Sequence, residues 1–179
     1  GMLAVLGVEV NEILALLKEN NNDYKCYVAN DNSNGQIVLS GLNKDIDKLA
    51  MSLKEKKIKN IKLPVSAPFH CKLMNKATSI MIDKINNSNF AKPKNVIISN
   101  VTGSGTQEIK EIKDLLIKQI ESPVRWRESV VYMIKNGVTN FIEIGPGKVL
   151  SGLVKRIDKT INVNSINKLE DLTDIKLND

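Results

Sequence analysis

Leu63-Pro64-Val65-Ser66-Ala67-Pro68-Phe69-His70-Cys71-Lys72-Leu73-Met74 divides the chain into two parts with different patterns. Two prolines fix the backbone on the way in, and a helical pattern starts just after the histidine. Upstream, Met2 to Val8 is an apolar run read as a strand. Asn11 is placed to cap a helix carrying Ile13, Leu14, Leu16 and Leu17. Tyr24 to Ala29 reads as a strand with Tyr24, Cys26 and Val28 on one face, and Asn30 to Gly35 as a turn-rich loop. Gln36 to Ser40 is a strand, followed by a helix with Ile46, Leu49, Ala50 and Leu53 inward, and Ile58 to Leu63 is the last strand. The order β-α-β-β-α-β predicts a ferredoxin-like unit, with two helices on one face of a four-stranded antiparallel sheet.

Downstream the pattern changes. Met74, Ala77, Ile80, Met81 and Ile85 share one helical face, and methionines at that spacing read as core filling. Val96 to Asn100 is a short β-branched strand, and Val101 to Thr106 a flexible loop. A helix with Ile112, Leu115, Leu116, Gln119 and Ile120 closes at Ser122-Pro123. Another starts at Val124-Arg125-Trp126, turns Val130, Val131, Met133 and Ile134 inward, and stops at Gly137. Thr139 to Ile144 is a strand, then a helix runs through Arg156, then a weak strand spans Asn162 to Ile166. Strands alternating with helices predict a parallel α/β layer. Two or three parallel strands leave an apolar face and an edge uncovered. That shortfall, with an opening directly on a core strand, reads as a chain cut from something longer.

Hydrophobic content of 42% against 26% charged is an ordinary globular balance and argues against a disordered chain. No apolar run approaches the roughly 18 residues of a membrane span, and the start lacks the basic region of a signal peptide. The two cysteines, Cys26 and Cys71, form no C-x-x-C pair, and one histidine cannot complete a zinc set with them. A reduced, cytoplasmic setting follows as the expectation. The net charge of +6 comes from 23 lysines and three arginines (Arg125, Arg127 and Arg156) spread along the chain. It attracts acidic partners through the overall field. RNA binding through the first unit lacks support, because aromatic residues make up 4% and the central strands carry no base-stacking platform.

Two segments draw chemical interest. His70 is the single histidine, and imidazole is the usual general base near neutral pH, although a lone histidine is more often a solvated or core residue. Gly145-Pro146-Gly147-Lys148 joins a strand to a helix whose N-terminus could hold an anion. It lacks the glycine spacing and the Ser or Thr of a P-loop, so a tight turn is the simpler reading. Cys71 beside His70 is not a nucleophile pair, since such pairs come from separated segments.

Four segments in order resemble the malonyl-CoA:acyl carrier protein transacylase family: Leu63–Met74, Ile98-Ser99-Asn100-Val101-Thr102-Gly103, Ile117–Trp126 and Phe141–Leu153. Met2–Gly7 and Ala29–Gly41 fit it too. The resemblance implies a partial α/β-hydrolase-like acyltransferase core with an inserted ferredoxin-like α+β subdomain. The divisions are then 1–63 for the subdomain, 64–168 for part of the core, and 169–179 for a polar tail. It implies transfer of malonyl from malonyl-CoA, through a serine ester, to the phosphopantetheine thiol of acyl carrier protein in fatty-acid synthesis. His70 is then the general base, oriented by the main-chain carbonyl of Gln119, so no carboxylate partner is needed. Phe69, Asn30 and Asn32 are the implied substrate contacts, with Phe69 favouring malonyl over methylmalonyl. No permanently bound cofactor, metal, membrane or nucleic acid is implied, and the complete enzyme is expected to be a monomer.

The sequence departs from the family in three ways. It has no Gly-x-Ser-x-Gly elbow, no Gly-Gln-Gly oxyanion segment and no arginine in the carboxylate-gripping context. The expectation is a C-terminal portion that is inactive alone. The alternative is a non-catalytic module that binds acyl carrier protein.

Overall fold

A computed structural model describes residues 1–20 and 22–174. The first sheet has the order β2-β3-β1-β4 and is antiparallel throughout. Its strands are β1 (Met2–Leu6), β2 (Cys26–Ser33), β3 (Gln36–Gly41) and β4 (Lys59–Lys62), with α1 (Val10–Glu19) and α2 (Asn43–Glu55) in the crossovers. Period-2 alternation sorts the side chains. Leu3, Val5, Ile37 and Leu39 point to the helices and pack with Ile13, Ile46, Leu49 and Leu53. Met2, Ala29 and Val38 point to the other face, with Ala4 and Leu63 beside them. Leu49 and Leu53 are fully buried, and each contributes about 2 kcal/mol through apolar area removed from water.

Two local expectations change. Asn11 does not cap α1: the cap position is Glu9, and Asn11 lies inside the first turn. The polar run Asn30–Ser33 is strand rather than loop. Two register shifts, between Val28 and Asn30 and between Asp31 and Ser33, let β2 stay paired with β3 through these residues.

The second part contains α3 (Asn75–Asn86), a hairpin of β5 (Ile97–Ile98) and β6 (Gly105–Thr106), α4 (Ile109–Lys118) and α5 (Trp126–Lys135). The parallel pair β7 (Asn140–Ile144) and β8 (Asn162–Ile166) follows, joined by α6 (Val149–Ile157). The segment expected as a loop over 101–106 thus ends in a strand. Helix α4 stops at Lys118, earlier than Ser122. Gly137 takes φ +89°, the left-handed stop that ends α5. Val130, Val154 and Ile161 form the core here, with Trp126, Phe141 and Val163 around them. Helix α3 buries no residue, and Ile80 is 67% exposed. Its apolar stripe faces open space rather than a core. The outer face of β7 is likewise bare, with Ile144 78% exposed. Residues Leu169–Asp174 wind into 3-10 turns, and the rest of the expected tail, 175–179, lies outside the described residues.

Three ties join the α5–α6 region to the first sheet. Val124 donates its N–H to Ala29 O at 2.8 Å and accepts from Asp31 N at 2.9 Å, a parallel bridge against β2. Arg127 grips Asp31 with Nε and Nη2 at 2.7 to 3.1 Å, and the Asp31 residue is only 6% exposed. That hydrogen bonding holds the guanidinium pKa above its ordinary value. Arg156 donates to Gln36 Oε1. With Arg125 paired to Glu128, all three arginines have structural partners.

The turn Gly145–Lys148 opens α6. Gly145 and Gly147 take φ of +139° and +94°. The helix N-terminus already holds an anion from its own chain: Leu150 N and Ser151 N donate to the Glu143 carboxylate at 3.1 and 2.7 Å. The Ser151 side chain first, then these backbone N–H groups, hold the Glu143 carboxyl below the usual glutamate range.

Two outcomes are expected. Arg127→Ala leaves Asp31 buried and unpaired, and costs about 3 kcal/mol in urea unfolding; replacing both partners with apolar residues costs less. Glu143 has a depressed folded-state pKa, so its contribution is full above the unfolded value of about 4.3 and is lost as pH falls through the folded one. The thermal midpoints of wild type and Glu143→Gln should therefore differ most above about pH 5 and draw together as pH falls below about 4.3 and through the lower folded-state value. Parallel curves would refute the assignment.

Candidate active site

The histidine segment leaves β4 through Pro64 and Pro68 and enters a short 3-10 turn, Lys72–Met74, ahead of α3. His70 sits at its sharpest point, with φ +59°. A side chain in this left-handed region costs about 1–2 kcal/mol, so the surroundings must hold it there. Cys71 assists: its thiol donates to Pro68 O at 3.2 Å across the bend.

The ring of His70 is half-buried, and its Nδ1 lies 3.1 Å from Gln119 O. A carbonyl oxygen only accepts, so the bond calls for the Nδ1–H tautomer and leaves a lone pair on Nε2. The sequence explains why Gln119 O is open to it. Gln119 is the C-cap of α4, and the last carbonyls of a helix lack intrahelical partners. Four residues on stands Pro123, which has no N–H to offer. No carboxylate pairs with the ring among the described residues.

His70 opens onto two clefts. The larger, about 620 Å³, is walled by Phe69, Met74, Met81, Asn100, Gln119 and Ile120. The methionine face of α3, expected as core filling, therefore lines this open apolar cleft. The second, about 440 Å³, runs past Leu17, Tyr27, Cys71, Lys72 and Glu121. Phe69 is 40% exposed beside the histidine. Asn30 and Asn32 line neither cleft; both stand on β2, where Asn30 bridges Val124. The carboxamide that does reach the larger cleft belongs to Asn100, whose Nδ2 donates to Gln119 Oε1 at 3.4 Å. Its signal in the sequence was a polar residue ending an apolar strand, too common in an asparagine-rich chain to single out.

Both thiols are held out of nucleophilic work. Burial pushes Cys26 up to about 12 and raises Cys71 as well. No group of three His, Cys, Asp or Glu residues could hold a metal ion among the described residues, and no helix there is long and apolar enough to cross a membrane. The chemistry available at this site is proton transfer: Nε2 can take a proton from a donor in the cleft and return it, while Gln119 O stabilises the imidazolium on its far side.

No family model matches the chain. It is 38% identical over 180 residues to the malonyl CoA-acyl carrier protein transacylase of Staphylococcus aureus strain COL, covering 99% of this chain and 58% of that relative. The crystal structure of malonyl CoA-acyl carrier protein transacylase from Clostridium perfringens matches with a TM-score of 0.91 and 38% identity, over 97% of this chain and 55% of that one. A type II PKS acyl-carrier protein in complex with its malonyl-transacylase matches with a TM-score of 0.90 and 31% identity, over 96% and 56%. The chain thus spans a little over half the length of the relatives it matches. In sequence and in its mixed α/β fold alike, the chain is similar to malonyl CoA-acyl carrier protein transacylases over a little over half of their length.

Proposed function

We propose that the chain carries the general base of an acyl-carrier-protein S-malonyltransferase of fatty-acid synthesis, working in the cytoplasm as a monomer when complete. In this reading residues 1–63 are a ferredoxin-like subdomain inserted in an α/β-hydrolase-like core, of which 64–168 form a part. The observation that carries the proposal is the bond from His70 Nδ1 to Gln119 O at 3.1 Å, beside an open apolar cleft.

The nucleophile is a serine outside these 179 residues, since they contain no Gly-x-Ser-x-Gly. Nε2 of His70 takes the serine proton as the oxygen attacks the thioester carbonyl of malonyl-CoA. The tetrahedral intermediate expels the coenzyme A thiolate, which takes the proton from Nε2, leaving a malonyl-serine ester. The phosphopantetheine thiol of acyl carrier protein then gives its proton to Nε2, attacks the ester and displaces the serine, which is reprotonated. The Gln119 carbonyl keeps the ring in the tautomer both half-reactions need. Phe69, beside the base, crowds an α-substituent and so favours malonyl. The net charge of +6 supports partners that bring phosphates to the site.

Incubated alone with malonyl-CoA, the chain is expected to keep its intact mass; a stable malonyl adduct would overturn the placement of the nucleophile. Co-expressed with the remaining part of the Staphylococcus aureus relative, it should transfer malonyl to acyl carrier protein. His70→Ala should then lower kcat by about 10³-fold or more. Binding of acyl carrier protein without any restored transfer would favour a non-catalytic binding module instead.

A further inference from the structure

Resting on the reading of His70 as the base, we infer that Ser40, in the first sheet, is a positioning residue for it. Ser40 is fully buried on β3. Alternation puts it on the same sheet face as Val38, in a layer otherwise built from Met2, Ala4, Ala29, Val38 and Leu63. A hydroxyl in such a layer carries a desolvation cost unless it is bonded. Its Oγ donates to Phe69 O at 2.6 Å, across 29 residues of sequence.

The target of that bond matters. Phe69 O belongs to the peptide group directly before His70, and rotation of that peptide sets the φ of His70. The observed φ is +59°, a strained value for a residue with a Cβ. Without a partner on Phe69 O, the 69–70 peptide is free to leave this strained geometry, and the aim of the imidazole at Gln119 O loosens with it. Ser40 holds the carbonyl against that loosening, while Gln119 holds the ring 3.1 Å away. The base is thus fixed at both ends, by the sheet of the first part and by the end of α4 in the second. Removing the hydroxyl leaves the sheet intact and frees one end.

The test uses the 179-residue chain itself, because its single histidine gives one unambiguous set of ring signals. Ring ¹⁵N shifts distinguish Nδ1–H from Nε2–H. In the wild type the Nδ1–H form is expected to dominate at pH 8. Ser40→Ala should shift the population so that Nδ1–H loses its majority, and Ser40→Thr, which keeps a hydroxyl on a strand-compatible side chain, should restore it. Should Ser40→Ala fail to fold, Ser40→Cys preserves volume with a weaker donor and should give an intermediate population. Unchanged ring shifts in a folded Ser40→Ala or Ser40→Cys, whatever the thermal midpoint does, would overturn the inference and leave Ser40 a packing residue. In the co-expressed enzyme the same Ser40→Ala should lower kcat roughly tenfold with KM unchanged. The ring measurement stands whether or not transacylation is restored, so failure of the enzymatic reading and failure of this one are separable.

Discussion

The contact between Asp31 and Arg127 is the constraint on which the arrangement depends. Around it, Val124 is stitched to β2 through Ala29 O and Asp31 N. That joint fixes the segment after Gln119 against the sheet that the His70 segment leaves, and so backs up the direct bond between His70 Nδ1 and Gln119 O and the ties of Lys113 to Asn86 O and Ser88 O. The carboxylate is nearly out of water, and such a charge is tolerated only when paired and hydrogen-bonded. Arg127 meets it with a fork of donors rather than a point charge. The result is a directional joint that sets angle as well as distance, as a 3.1 Å imidazole–carbonyl bond needs.

The joint exists because β2 is longer than its composition suggests. Asn-Asp-Asn-Ser reads as loop by propensity, and the pairing of β2 with β3, with two register shifts, overrides it. That override could not be read from residues 30–33 alone, since the partner strand and the bulges lie in tertiary structure. The rest of the first sheet was legible: Leu3, Val5, Ile37 and Leu39 alternate cleanly, and Ile46, Leu49 and Leu53 follow helical spacing. The parallel pair around α6 was legible as well, because Thr139 to Ile144 and the weaker Asn162 to Ile166 stand on either side of one amphipathic helix.

The site was legible unevenly. His70 is conspicuous as a single histidine, and Gln119 entered through resemblance, although Pro123 four residues on supplies a physical reason for its open carbonyl. Asn100 was hidden by the abundance of asparagine. Ser40 was hidden more deeply, since nothing in Gln36–Ser40 says which face of the strand meets the histidine segment. The stripe of α3 shows the opposite limit. Its spacing groups Met74, Ala77, Ile80, Met81 and Ile85 on one face; all but Ile80 line the cleft, and spacing cannot say whether such a face meets a core or an open cleft.

That open face has a colloidal consequence. Ile80 on α3, and Ile144 and Val149 at the two ends of the turn between β7 and α6, each leave two thirds or more of their surface in contact with water, and exposed apolar groups attract one another between molecules. The same molecules repel through their net charge of +6. Repulsion between surface charges is screened within about 10 Å at 0.1 M salt, whereas apolar attraction is not. Added salt therefore tips the balance toward self-association of the chain.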